Sequence, residues 1–326
     1  MGFSKCIYEM MEKKWFVMIM WQVCALMNVS GASFVTIMTN LNGKTLPFFQ
    51  LALTYTTLLL VHFKFAPKTS MPWIKYFIVS GLNFGGDVTA IYAYTMTSLS
   101  SSMLLITTVI FWVAPISYFF LKRDISWQQV LSIFIGVTGI VLVFVADGIG
   151  DTHWQGNVLS LASAFCYAIA NILQEVLVFE NTISTFLFRF SLCTAPVASI
   201  VTGSVEWKQI YTYHWSWKII CLLLGYVIML SLYYSLVPFV LQHSSATEMN
   251  ISFLSNNFYS LALSILFFGQ KASWLYLVGF ICIPIAIIIF CVWAPEEKYR
   301  NAGPQNSDNP HYEFSQKYID NAELVN

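Results

Sequence analysis

The chain has 326 residues, of which 57% are hydrophobic, 17% aromatic and only 10% charged, with 16 Lys and Arg balancing 16 Asp and Glu. Soluble globular domains carry about 25% charged residues, so this composition excludes an ordinary soluble enzyme or binding domain. The zero net charge supplies no basic field for nucleic acid.

What remains is an all-α polytopic membrane protein. Ten spans of about 20 residues use about 200 residues, which leaves short loops and a tail but no sizeable soluble domain. Seven cysteines occur, Cys6, Cys24, Cys166, Cys193, Cys221, Cys282 and Cys291, without a CxxC or Cys/His cluster. That pattern predicts neither a metal site nor a disulfide framework. Small apolar fillers of the spans are the plainer reading, and no cofactor is expected. Cys6, close to the first span, is a position for palmitoylation.

In chain order, residues 1–14 form a short polar cytosolic lead with Lys5, Lys13 and Lys14. The first apolar run starts behind these lysines, has full length and lacks a small-residue cleavage site, so it reads as a retained first helix. Spans one to five are expected near 15–38, 46–65, 73–96, 99–121 and 127–145, making a first five-helix repeat of 15–146. A link at 147–155 follows. Spans six to ten are expected near 156–179, 183–202, 218–241, 247–268 and 274–293, making a second repeat of 156–294. Between spans seven and eight, Gly203–Trp217 reads as the longest internal connection. Its Trp207, Tyr211, Tyr213 and Trp215 suit the membrane interface. Residues 295–326 are polar and punctuated by Pro295, Pro304 and Pro310, the composition of a disordered cytosolic tail.

The two halves follow one plan. Thr97-Ser98-Leu99-Ser100-Ser101 leads into an apolar span, then Lys122-Arg123-Asp124, then Ser126-Trp127. Ser244-Ser245-Ala246-Thr247 leads into another, then Gly269-Gln270-Lys271, then Ser273-Trp274. One offset of 147 residues places Ser98 on Ser245, Ser126 on Ser273 and Trp127 on Trp274. Lysine and arginine distribution sets the orientation. With both termini in the cytosol, that side holds Lys5, Lys13, Lys14, Lys64, Lys68, Lys75, Lys122, Arg123, Lys298, Arg300 and Lys317. The other side holds only Lys44, Lys208, Lys218 and Lys271. Five spans per half then insert in opposite senses, the two inverted five-helix repeats of a secondary transporter.

Within the spans, polar groups mark the protein-facing sides, because hydrocarbon offers them no partners. The first half of span nine is dense in them: Asn250, Ser252, Ser255, Asn256, Asn257, Tyr259 and Ser260. Asp87 is the acid deepest in a predicted span and follows Gly85-Gly86, which permit close approach. An intramembrane carboxylate either binds a cationic solute, carries a proton, or makes a structural pair. Tyr94, Asn171, Asn256 and Asn257 are the further candidates for a solute pocket, with Tyr92, Tyr167, Gln174, Tyr233 and Tyr234 beside them. Aromatic faces stack a flat solute and amides read its polar edge. Glu175 and Arg189, near the shared ends of spans six and seven, are either a gate or a static ion pair. No nucleotide-binding loop and no hydrolase-like constellation occurs, so an enzyme is not expected.

Three stretches carry a resemblance. Tyr167-Ala-Ile-Ala-Asn171 with Glu175 is similar to a YAISN…E segment, Ser231-Leu-Tyr-Tyr-Ser235 through Pro238 to LYSFMP, and Ser244–Tyr276 to TSAT…N…LYSL…LFG…LY. These segments belong to the drug/metabolite transporter superfamily, and within it to solute carrier family 35, subfamily F, which the chain resembles from span one to span ten. The resemblance implies ten helices in two inverted halves, cytosolic termini and a central cavity with alternating access. Family relatives carry nucleotide sugars in the Golgi and endoplasmic reticulum. The chain departs from the pattern near Asn83, Gly85 and Tyr92, where the subfamily carries acids and an arginine, and at Asn257, where it carries Asp. The expected function is secondary transport of a small organic solute, nucleotide-sugar, nucleobase-like or drug-like, by alternating access. The alternative is a non-transporting membrane scaffold or sensor. Expected partners are the solute and the lipid bilayer, with a homodimer left open, in the plasma membrane or a Golgi or endosomal membrane.

Overall fold

The computed structural model describes residues 14–63, 72–112, 116, 126–147, 153–180, 183–241, 249, 252–269 and 273–292. The expected N-terminal lead and C-terminal tail lie outside the described residues, as does most of the link between the halves. The helices are α1 Lys14–Asn42, α2 Pro47–His62, α3 Trp73–Met96, α4 Leu99–Ile106, α5 Trp127–Asp147, α6 His153–Glu180, α7 Ile183–Val201, α8 Trp207–Thr212, α9 Trp217–Leu241, α10 Ser255–Phe268 and α11 Trp274–Val292. Among the described residues five helical segments are long and apolar enough to cross a membrane: Trp15–Asn42, Trp127–Ala146, His153–Gln174, Ile183–Thr212 and Trp217–Leu241. The other expected spans coincide with helices that are shorter or more polar. The 24-residue α3, for example, carries Lys75, Asn83 and Asp87.

The exterior is apolar along helical stripes. Ile220, Leu224 and Ile228 of α9 and Ile281, Ile285 and Ile288 of α11 recur every three or four residues and are exposed. Such stripes face lipid rather than water in an integral membrane protein. Polar side chains point the other way. Asn256, Asn257, Ser260 and Ser264 of α10 are all buried. Many hydroxyls satisfy themselves on the preceding turn, as when Thr54 donates to the Gln50 carbonyl at 3.0 Å and Ser191 to that of Leu187 at 2.7 Å.

The packing partners form a regular set. α3 packs on α6 and α1 on α9; α4 packs on α6 and α1 on α10; α3 packs on α7 and α2 on α9. α2 with α7, α4 with α10 and α5 with α11 complete the nine most extensive pairings among the described helices, the lesser packings such as α1 on α3 standing outside this set. Exchanging the first five spans for the last five converts this set into itself. The α5–α11 crossing is close because both helices present glycine. A Cβ on Gly279 would sit 2.8 Å from the Gly139 carbonyl oxygen.

Two helices differ from the uninterrupted spans expected. α4 ends at Ile106, and a turn at Thr107-Thr108 precedes the next helical residues. There the Thr107 hydroxyl bonds the Leu104 carbonyl at 2.7 Å and the Thr108 hydroxyl that of Leu105 at 2.6 Å. These i−3 bonds, with Thr108 N–H also on Leu105, tighten the backbone out of α-geometry. In the second half of the chain Leu254 forms a turn before α10, with Asn257 N–H on its carbonyl at 3.1 Å. Thr107 and Leu254 are related by the same 147-residue offset.

The expected connection Gly203–Trp217 is helical as far as Thr212. A π-turn over Thr202–Glu206 joins α7 to α8. The reason lies in Glu206, whose buried carboxylate accepts the Phe48 N–H at 3.1 Å and the Phe49 N–H at 2.8 Å. These are free donors of the first turn of α2, where no side chain of α2's own cap serves them.

Candidate functional site

Asp87 is the centre of the candidate site. It is buried on α3, and three phenols from three other helices converge on it. Tyr55 of α2 and Tyr234 of α9 donate to Oδ2, the latter at 2.5 Å, and Tyr167 of α6 donates to Oδ1 at 2.6 Å. Oxygen–oxygen distances this short are those of the stronger class of hydrogen bond to a carboxyl group. Local packing explains the convergence. Gly86 lets the Tyr167 ring lie directly on the α3 backbone, since a Cβ there would fall 2.7 Å from Cε1. Ser163, one turn earlier on α6, donates to the Gly86 carbonyl at 2.9 Å and fixes the two helices in register. Tyr55 and Tyr234 in turn pack against each other and against Phe190 of α7, at centroid distances of 5.7–5.9 Å.

The Asp87 cluster opens on a central cavity. Its walls come from α1, α3, α6 and α9 and from the two interrupted regions around Thr107 and Leu254, with Thr107, Met249, Phe253 and Asn256 contributing there. Of the candidates from the sequence, Asp87, Tyr94, Asn171 and Asn256 all line this cavity, with Tyr167, Gln174, Tyr233 and Tyr234. Asn257 does not line it. One position further round α10, it is fully buried and its Nδ2 donates to Thr107 Oγ1 at 3.3 Å, so it ties α10 to the interruption in α4. Tyr92 also lies outside the lining.

For the expected Glu175–Arg189 pair, the Glu175 side chain lies outside the described residues. The Arg189 guanidinium stacks over Trp73 at 4.4 Å and Tyr76 at 5.4 Å from the ring centroids. Among the described residues no group of three or more His, Cys, Asp or Glu is placed to hold a metal ion.

Sequence reasoning missed Tyr55 and Glu206. Tyr55 sits among Thr54, Thr56 and Thr57, a polar cluster inside span two that was a legible signal. Glu206 was hidden by its assignment to a connection.

A helical protein with apolar outer stripes around a polar, aromatic-walled cavity has the form of a membrane solute transporter. The sequence comparison is specific: the family model SLC35F, described as Solute carrier family 35, matches residues 10–292, and the chain belongs to that family. It is 28% identical over 307 residues to an uncharacterized solute carrier family 35 member of Schizosaccharomyces pombe, covering 89% of this chain and 60% of that protein. It is 27% identical over 226 residues to mouse solute carrier family 35 member F2, covering 67% of this chain and 60% of that protein. The chain thus spans about 60% of the length of these curated relatives. A solved crystal structure shares the fold, with a TM-score of 0.62 at 14% identity, covering 90% of this chain and 100% of the other.

Proposed function

We propose that this solute carrier is a secondary transporter that moves a small organic solute through the central cavity by alternating access. Asp87, Tyr94, Asn171 and Asn256 form its binding surface in this reading, and Asn257 supports it from behind. The observation that carries the reading is the buried Asp87 at the cavity wall, held by hydroxyls from both halves of the chain. A scaffold or sensor has no use for an ionisable group placed at such cost inside a membrane protein.

Ten membrane spans in two inverted repeats, with cytosolic termini, complete the proposal. Two features support the repeats: the packing set that maps onto itself when the halves are exchanged, and the helix interruptions at Thr107 and Leu254. Interrupted helices beside a midplane cavity are a recurrent design of secondary transporters. The membrane is the plasma membrane or a Golgi or endosomal membrane. Glu175 and Arg189 are assigned to a gate or a static pair at one end of the bundle.

The test is uptake of a solute panel into liposomes containing the full chain. Asp87→Asn is expected to abolish most uptake with normal membrane abundance. Undiminished uptake by that variant removes Asp87 from the mechanism, and absence of uptake for every solute tested removes the transporter reading.

A further inference from the structure

The cavity wall is electrically one-sided. Among the described residues lining it, Asp87 is joined by no lysine, arginine or histidine. Two described cations stack on rings outside that lining, Arg189 over Trp73 and Tyr76 and Lys208 over Trp207. The three partners of Asp87 are neutral phenols, so a negative charge on it would be hydrogen-bonded but not cancelled. An ionised carboxylate has about four acceptor positions. Two phenols occupy Oδ2 and one occupies Oδ1, which leaves a position on Oδ1 for a donor from a solute.

A second and independent acceptor faces the same space. Asn256 is buried, lines the cavity, and its carbonyl oxygen Oδ1 has no hydrogen-bond partner among the described residues. A buried polar atom left in that condition is costly unless something completes it. Around both acceptors stand the ring systems of Tyr94, Tyr226, Tyr233 and Phe253. Aromatic faces are the negative part of the ring quadrupole and attract cations. Carboxylate, orphan carbonyl and ring faces therefore all favour positive charge. None of them suits a phosphate or carboxylate, which needs cationic side chains or backbone N–H groups.

We propose that the cavity selects an organic cation: a protonated nitrogen on a flat, ring-bearing body, with its N–H at Asp87 and a further polar hydrogen on Asn256. The inference deepens the transporter reading and rests on the cavity being the solute site. It sets nucleotide sugars and other organic anions against this chain.

Equilibrium binding to the purified full chain in detergent tests it. The probes are tryptamine and 5-hydroxytryptamine as cations, and biphenyl-4-carboxylate and a uridine diphosphate sugar as anions. Cation binding is expected, with the anions at least about 10-fold weaker. Asp87→Asn should weaken the cations by about 10- to 100-fold. Because that variant could also unfold, Asn256→Asp supplies a gain: a second acid should tighten cation binding by about 10-fold. No cation binding, anions binding as well as cations, or no gain from Asn256→Asp in a folded sample overturns the inference. Liposome uptake separates the two claims. Cations that bind but are not taken up uphold the inference and sink the transporter reading, whereas uptake of anionic solutes alone does the reverse.

Discussion

Adjacent glycines on α3 offer a sharp comparison. A Cβ on Gly86 would lie 2.7 Å from Tyr167 Cε1 and 2.9 Å from Cδ1, whereas a Cβ on Gly85 would meet nothing within 4 Å. Carbon atoms in contact prefer about 3.5–4.0 Å, so Gly86→Ala requires the ring to retreat by about 0.8 Å. Helix α6 is not free to slide with it, because Ser163 is bonded to the Gly86 carbonyl itself. The retreat stretches the 2.6 Å Tyr167–Asp87 bond beyond the usual O–H···O range. Loss of a bond to a charged group costs about 1.5–3 kcal/mol, and overpacking adds about 1–3 kcal/mol. The helix-forming advantage of Ala over Gly returns about 1 kcal/mol. The net is a destabilisation of about 1.5–5 kcal/mol for Gly86→Ala, against a gain of up to about 1 kcal/mol for Gly85→Ala. Thermal unfolding of the two variants in detergent, followed by tryptophan fluorescence, gives the comparison. Coincident midpoints would refute the reasoning that Gly86 exists to seat Tyr167.

Tyr55→Phe removes one hydroxyl from Asp87 at a fully buried position and should cost about 1.5–3 kcal/mol, measured by the same unfolding assay; in the Asp87→Asn background the cost should shrink, because an amide is a weaker acceptor than a carboxylate. Glu206→Ala strands the Phe48 and Phe49 N–H groups and should destabilise by about 2–4 kcal/mol, while Glu206→Gln keeps one acceptor and should cost about half as much. Hydrogen exchange should then speed up at the start of α2 before anywhere else. Gly279→Val places a side chain against the Gly139 carbonyl and should force α5 and α11 apart, lowering the yield of folded protein, whereas Gly81→Ala, with open space around it, should not.

The sequence made the pocket's chemistry legible wherever a polar side chain was conspicuous against an apolar span. Asp87, Tyr94, Asn171 and Asn256 fall on one cavity for that reason. Asn256 and Asn257 show where the signal stops. Both are buried amides on neighbouring positions, and about 100° of helical rotation sends one to the cavity and the other to Thr107. Gly85 and Gly86 are likewise equivalent in the sequence, and only the Tyr167 ring distinguishes them. Glu206 escaped because its partners are backbone N–H groups about 158 residues away, and no local pattern encodes a cap supplied from another helix. The interruption at Thr107 was concealed by the apolar residues on both sides. Its cause is two hydroxyls bonding back to their own helix, which hydropathy does not register.

The distribution of the Asp87 partners bears on how the proposed cycle is coupled to cargo. Asp87 and Tyr55 belong to the first half of the chain, Tyr167 and Tyr234 to the second, and Tyr234 lies 147 residues after Asp87. The carboxylate is therefore a place where the halves are joined by short hydrogen bonds at the cavity wall. Rocking one half against the other must lengthen Tyr167–Asp87 or Tyr234–Asp87, and an ionised group that loses donors inside a membrane protein costs several kcal/mol. A neutral solute does little to reduce that penalty. A cation with an N–H at Asp87 replaces both the donor and the missing positive charge, so it lowers the cost of the motion specifically when the cavity is filled. On this argument the empty carrier exchanges slowly between its two faces, and Asp87→Asn, which removes the charge that must be compensated, should speed the empty exchange while weakening cargo binding. Distance measurements between spin labels on the two halves, with and without tryptamine, would show this as broader sampling in the empty variant. Equal sampling in both proteins would mean that Asp87 does not couple the halves.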